Sequence, residues 1–273
     1  MIPPPSVALT RTAWRGGHAI SGERVVPEEV PVAFTYNRTT YAVMLASPTD
    51  LEDFAIGFSL TEGVVANPDE IEELEIVGLD QGIELRMSLA GEREAAFIAR
   101  RRHLAGATGC GLCGIESLAE ALRVPPQLPP GRRFTAEQIG RAMAALPGGQ
   151  LLNRITHAVH AAAFWTEAGG LVACAEDVGR HNALDKLAGA LARMGADPSA
   201  GVLLLSSRVS IELIQKCAVI GIPLIAAISS PTALAVRMAA AAGITLIGVA
   251  RDDGFEIFTH ADRIQTAPMR HVA

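Results

Sequence analysis

The chain has 273 residues, 49% of them hydrophobic and 19% charged, and carries a net charge of −6 at pH 7. Length and apolar content exclude a disordered chain and allow one large domain or two modest ones, with a core that needs no disulfide staples. The acidic balance excludes binding of nucleic acid through a broad basic surface, so a polyanionic ligand must meet a local cluster of cations and backbone N–H groups.

The opening MIPPPSVALTRTAW has no basic start followed by an apolar run. It does not read as a secretory signal, and the protein is expected in the cytoplasm. Residues 1–20, rich in Pro, Gly and Arg, read as a loose arm that adds little to a core. Residues 30–47, VPVAFTYNRTTYAVMLAS, predict a hairpin of two alternating apolar runs broken by Asn37 and Arg38. The period changes over residues 50–65, where Leu51, Phe54, Ile56, Phe58 and Leu60 lie near helical spacing and Thr49 or Asp50 is placed to cap a helix. Residues 73–77 and 82–88 predict a further strand pair.

The stretch VPPQLPPGRR, residues 124–133, can continue neither helix nor sheet and marks a boundary. It divides the chain into a small α+β domain over residues 1–124 and an α/β domain over residues 133–273. In the second, a helix over 136–145 precedes strands at 158–164 and 171–175 and a helix over 181–194. Apolar strands at 202–205, 224–228 and 245–249 then alternate with two helices, a βαβαβ order that predicts right-handed crossovers and a parallel sheet. The longest apolar stretch, 217–229, is broken by Gly221 and Pro223 and falls short of the roughly 20 residues that cross a bilayer, so no membrane helix is expected.

Three segments could carry chemistry. GATGCGLCGIESLAEALR places Cys110 and Cys113 among four glycines, ahead of an amphipathic helix. Unpaired N–H groups at a helix start favour the thiolate, and glycines let another molecule come close to the sulfur. The pair reads as half a zinc site, as a redox pair, or as a sulfur carrier whose thiolate takes up a sulfane sulfur. A structural zinc needs two further ligands, whereas Cys174 and Cys217 are isolated in a predicted strand and helix, so no structural metal is expected. Spacing does not rank the other two readings, nor does it say which thiol accepts first.

The second segment, CAEDVGRHNALDKLAGAL, has Leu184, Leu187, Leu191 and Met194 as a core stripe, with His181 and Asp185 on another face beside Arg180 and Lys186. A capped helix with a solvated polar face competes with a ligand site, since parallel sheets bind ligands where strands end. The third is the turn after GVLLL, where Ser206, Ser207, Arg208 and Ser210 suit a phosphate or serve to cap the next helix. A similar turn spans residues 229–232, and residues 252–260 read as a short edge strand. His157 and His160, three apart on a predicted strand, face opposite sides and do not share a metal.

DFAIGFSLTEGV (53–64), GCGLCG (109–114), EDVGRHNALDK (176–186), SSRVSIELIQKCAVIGIPLIAAISSPTALAV (206–236) and FEIFTH (255–260) together resemble the formate dehydrogenase accessory sulfurtransferase family, FdhD. The resemblance spans about residue 29 to 260. It implies a cytidine-deaminase-like C-terminal domain with a largely parallel sheet flanked by helices, and a homodimer. It implies that the protein takes sulfur from a cysteine desulfurase as a cysteine persulfide and passes it to molybdenum bis(molybdopterin guanine dinucleotide), for formate dehydrogenase. Cys110 then matches the persulfide-bearing residue and Cys113 its partner. Phe255, Glu256, Ile257, Phe258, Thr259 and His260 match the cofactor-contacting segment. Arg180, His181, Asn182, Lys186, Ser206, Ser207 and Arg208 complete the expected cofactor-binding set. Two alternatives remain: a zinc deaminase, which lacks the required H-x-E and later P-C-x-x-C here, and a cofactor chaperone that transfers no sulfur.

Overall fold

The computed structural model describes residues 1–91, 122, 125 and 127–265. Residues 1–20 are not a loose arm. Strand β1 (Ser6–Arg15) pairs antiparallel with β2 (His18–Pro27) along its whole length. The cause is Gly16-Gly17, both at positive φ (57° and 79°), which matches a two-residue turn to the right-handed twist of its strands.

The predicted hairpin is β3 (Val30–Tyr36) and β4 (Thr39–Ala46), turning on Asn37 and Arg38 at φ 46° and 65°. With β5 (Ile71–Leu79) and β6 (Gly82–Leu89) it forms a four-stranded sheet, ordered β4-β3-β6-β5. Helix α1 (Leu51–Thr61) covers that sheet through aromatic packing. Phe34 stacks on Phe58 at 3.9 Å between centroids and meets Phe54 edge-on at 4.9 Å. The expected side-chain cap is not made: Asp50 lies in the left-handed region without a cap bond, and the Thr49 hydroxyl accepts from Lys186 instead.

The rest of the chain runs β7 (Phe134–Thr135), α2 (Ala136–Gly149), α3 (Leu151–Thr156), β8 (His160–Thr166), β9 (Gly170–Asp177) and α4 (Arg180–Arg193). It continues with β10 (Val202–Leu205), α5 (Ile211–Ile220), β11 (Leu224–Ala227), α6 (Ala233–Ala242), β12 (Thr245–Arg251), β13 (Gly254–Ile257) and β14 (Ile264–Gln265). A six-stranded sheet has the order β13-β12-β11-β10-β8-β9. The parallel trio β10, β11 and β12 is its centre, while β8, β9 and β13 pair antiparallel to their neighbours. Its strands alternate between two cores. Leu203, Leu205, Ile225, Ala227 and Leu246 pack under α4, α5 and α6. Val202, Leu204, Leu224, Ala226 and Ile247 pack against α2 on the other face. This is the α/β architecture expected from the alternating strand and helix periods.

The polar face of α4 is not solvated: His181, Asn182, Asp185 and Lys186 are all buried. Helix α1 crosses α4 there at backbone contact. A Cβ on Gly57 would stand 1.7 Å from the Asp185 carbonyl oxygen, and one on Gly189 would stand 1.9 Å from that of Asp53. Only glycine permits that approach. The layers are therefore four-stranded sheet, α1, α4, six-stranded sheet, α2. Among the described residues no helix is long and apolar enough to cross a membrane.

Candidate functional site

Because β9 and β10 both run antiparallel to β8, the strands β9, β10, β11 and β12 all point the same way. The first turns of α4, α5 and α6 therefore gather at one edge of the sheet, where ligands of such sheets bind. The EDVGRHNALDK segment enters this edge from β9, and its polar residues divide into two groups.

The first group joins the two sheets. Lys186, fully buried, pairs with Asp177 at 2.7 Å and donates to the Ser47 carbonyl at 2.9 Å and the Thr49 hydroxyl at 3.3 Å. Asp177 accepts from the backbone N–H groups of Ser47 (2.9 Å) and Gly179 (2.7 Å) and from the Asn182 amide (2.9 Å), which also donates to Leu45. One turn on, Asp185 accepts from Lys216 at 2.9 Å and from the Thr61 hydroxyl, and Lys216 also donates to Glu62. Burial pulls Lys216 down, but Asp185 and Glu62 outweigh it and hold the ammonium protonated. Glu176 uses both oxygens on the N–H groups of Leu152 and Asn153 at the start of α3. The Lys186 ammonium and the Asn182 amide nitrogen, both expected at the cofactor, are engaged in closing α4 against the β4–α1 loop.

The second group is open. Arg180 Nε, His181 Nε2, Ser210 Oγ and Glu212 Oε2 are buried and have no hydrogen-bond partner among the described residues. They stand on the first turns of α4 and α5, and His181 Nε2 lies 3.9 Å from Glu212 Oε2. Ser210 occupies the N-cap position of α5 without capping it. Buried polar atoms are almost always bonded, so this cluster is the candidate site. Glu212 escaped the sequence reading: two positions along a helix from Ser210, it carried no shared-face spacing that could have marked it.

Burial, then the charge of Arg180, holds the His181 imidazole down to about 4, against about 6.5 in an unfolded chain. Between those values the unfolded chain binds a proton that the folded chain refuses. Stability is thus expected to fall by up to about 3 kcal/mol as pH drops through that window, and to owe nothing to this group's titration above it. Denaturant melts at pH 7 and at about pH 4.5 check this: His181→Asn should lose less stability on acidification than wild type, and an equal loss would refute it.

Other expected site residues lie along the same edge. Ser206 is tied to β8, its hydroxyl accepting from Ala161 N–H at 2.7 Å, and Ser207 donates to the Arg208 carbonyl at 3.1 Å. Arg208 is exposed. Val249, a β-branched residue at φ 51°, bulges β12 against the Ser229 carbonyl. Such a conformation is strained and persists only where surroundings enforce it. Phe258 closes on Gly248 beside Pro231. Phe255, Ile257 and Phe258 are half-buried and Glu256 is exposed, whereas Thr259 is buried with its hydroxyl between Ile244 and Leu246. His260 Nε2 meets the Ala240 carbonyl at 3.1 Å.

Cys110 and Cys113 lie outside the described residues. Cys174 in β9 is half-buried, and burial followed by Glu176 pushes its thiol up to about 12; Cys217 in α5 is wholly buried and also raised. Neither is set up as a thiolate. His157 is not on a strand: it ends α3 in a left-handed conformation, and His160 opens β8. Among the described residues no group of three or more His, Cys, Asp or Glu could hold a metal ion.

In α/β proteins of this kind, strand ends that gather three helix starts are the usual place for a ligand. The family model for the FdhD/NarQ family matches residues 27–265, and the chain belongs to that family. It is 52% identical over 257 residues to a protein of Agrobacterium fabrum named sulfur carrier protein FdhD, covering 94% of this chain and 95% of that one. Proteins of the same name from Brucella abortus and Xanthomonas campestris are 50% and 47% identical, over 94% and 96% of this chain and 97% and 94% of theirs. A crystal structure from Desulfotalea psychrophila, described as a formate dehydrogenase accessory protein, superposes with a TM-score of 0.74 at 25% identity, covering 96% of this chain and all of that one.

Proposed function

We propose that the protein carries sulfur on Cys110 from a cysteine desulfurase to the bis(guanine dinucleotide) molybdenum cofactor of formate dehydrogenase. The observation that carries the reading is the glycine-flanked pair Cys110 and Cys113, in a chain of a family whose members are named sulfur carriers. The Cys110 thiolate attacks the outer sulfur of the desulfurase persulfide. A new S–S bond forms, and the desulfurase cysteine leaves as thiolate. Release needs two electrons, which the second thiol supplies. Cys113 attacks the inner sulfur, the pair closes to a disulfide, and the outer sulfur leaves as hydrosulfide. Hydrosulfide and one proton would replace an oxygen on the acceptor cofactor, which leaves as water, and two external thiols would reopen the disulfide through a mixed disulfide.

The cofactor would lie along the strand ends. Arg208 and helix N-termini suit its phosphates, and Phe255 or Phe258 suits stacking of a guanine. The protein would act as a cytoplasmic homodimer. The test is incubation with a cysteine desulfurase and free cysteine, followed by mass spectrometry of the peptide bearing GCGLCG. One added sulfur is expected. An unmodified peptide while the desulfurase turns over would sink the reading.

A further inference from the structure

We propose that the β1–β2 hairpin is a clasp, laid on the open face of the four-stranded sheet of a second copy of this chain, with each copy holding the other. The inference rests on the homodimer reading above and says where the two chains meet.

The hairpin packs on α3 at its base, where Arg24 donates to the Thr156 carbonyl at 3.2 Å. From there it projects with its large apolar side chains in water: Trp14 is 73% exposed, Leu9 50% and Ile20 51%. A two-stranded hairpin on its own is marginal in water, and apolar side chains gathered on one mark a contact surface. Its two faces differ in charge. Directly paired residues share a face. The register pairs Leu9 with Arg24 and Ala13 with Ile20, and alternation along β1 adds Arg11 and Arg15 to that side. All three arginines of the hairpin thus stand among apolar residues on one face, whereas Glu23, its one acid, pairs with Thr10 on the other.

The same chain carries the complement. Helix α1 covers the face of the four-stranded sheet that bears Phe34 and Leu85; the opposite face is open. One side of it is apolar, with Val43, Leu45 and Leu79 exposed. The other side, on β5 and β6, carries Glu73, Glu75 and Glu84 against one cation, Arg86, which pairs with Glu75 and Glu84 at 3.3 and 2.9 Å. Guanidiniums among apolar residues therefore face an excess of carboxylate beside apolar residues. The hairpin does not cover its own sheet, since Val43, Leu45 and Leu79 stay exposed while it stands on α3. A hairpin of ten-residue strands presents a face of about 33 by 10 Å. Two reciprocal contacts bury on the order of 1,300 Å² in total, the scale of a specific interface, where a single contact would fall short. Reciprocity is what a closed two-fold pair supplies. An anionic lipid surface would also draw the arginines, but it would leave the acidic sheet face without a partner.

The test is sedimentation of the full chain. Wild type is expected to run as a dimer. Arg11→Glu with Arg15→Glu should weaken association by at least about tenfold, and so should Glu73→Lys with Glu75→Lys on the sheet, because each sets like charges against each other. Mixing the two variants is expected to restore a dimer, since the acidic hairpin of one then meets the basic sheet of the other and the second contact keeps its native charges. That rescue also shows that both variants fold. A wild-type dimer that both variants retain overturns the inference and leaves the homodimer reading intact, and a mixture of folded variants that stays monomeric overturns it as well. A monomeric wild type overturns both readings, and its sedimentation with phosphatidylglycerol vesicles would give the hairpin to a lipid surface instead. Should either double variant lack a cooperative melt, Arg15→Glu and Glu73→Lys carry the same comparison.

Discussion

Lys186→Ala is expected to lower the free energy of unfolding by about 3–5 kcal/mol, the range for leaving one partner of a buried ion pair alone. Lys186 and Asp177 are both wholly inaccessible and 2.7 Å apart. Without the ammonium, the Asp177 carboxylate keeps three N–H donors, from Ser47, Gly179 and Asn182, but no counter-charge. A domain of ordinary stability has about 5–15 kcal/mol in total, so the variant would stand near the edge of folding. Urea unfolding measures the loss. Adding Asp177→Asn should recover part of it, because a neutral amide is easier to bury than an unpaired carboxylate. A loss under about 1 kcal/mol would show the pair to be dispensable, as exposed pairs are.

Cys110→Ala is expected to abolish activation of formate dehydrogenase while leaving GDP affinity within about twofold of wild type; Arg208→Ala should weaken GDP by about tenfold, the scale of one lost charge-assisted hydrogen bond. The separation follows from chemistry. Sulfur transfer needs a thiolate and tolerates no substitute, whereas phosphate recognition is shared among a guanidinium, hydroxyls and helix N-termini. Calorimetric titration of GDP, run beside a formate dehydrogenase activation assay, reads both effects. A cofactor chaperone that transfers no sulfur would tolerate Cys110→Ala, and this outcome returns that alternative. Equal loss of GDP affinity in both variants would refute the division of labour.

The β3–β4 hairpin, α1 and the alternation of β10, α5, β11, α6 and β12 were legible because each is written as a local period in apolar residues. The β1–β2 hairpin was missed although Gly16-Gly17 is a strong turn signal. Its strands bury so little that Leu9, Trp14 and Ile20 stay exposed, and no apolar alternation announced them. His157 was misplaced because an apolar-looking run continued across a helix end. Lys186 was assigned to a ligand on charge alone, and charge does not say which way a helix face turns.

The sequence by itself determined the class of fold, the family, and the segment 176–186 as unusual, since a dense run of polar groups at a strand-to-helix turn is a local fact. Only the tertiary structure decided what each of those groups does. Gly57 and Gly189 let α1 and α4 touch at the backbone, and that contact buries Asp185 and Lys186 beneath residues more than a hundred positions away. A buried charge must find a partner there, so these residues became structural. Arg180, His181 and Glu212 lie just beyond the contact, and their buried polar atoms find no partner among the described residues. Hydrophobic periodicity is a property of neighbours along the chain, whereas the satisfaction of a buried polar atom depends on whatever the fold brings to it.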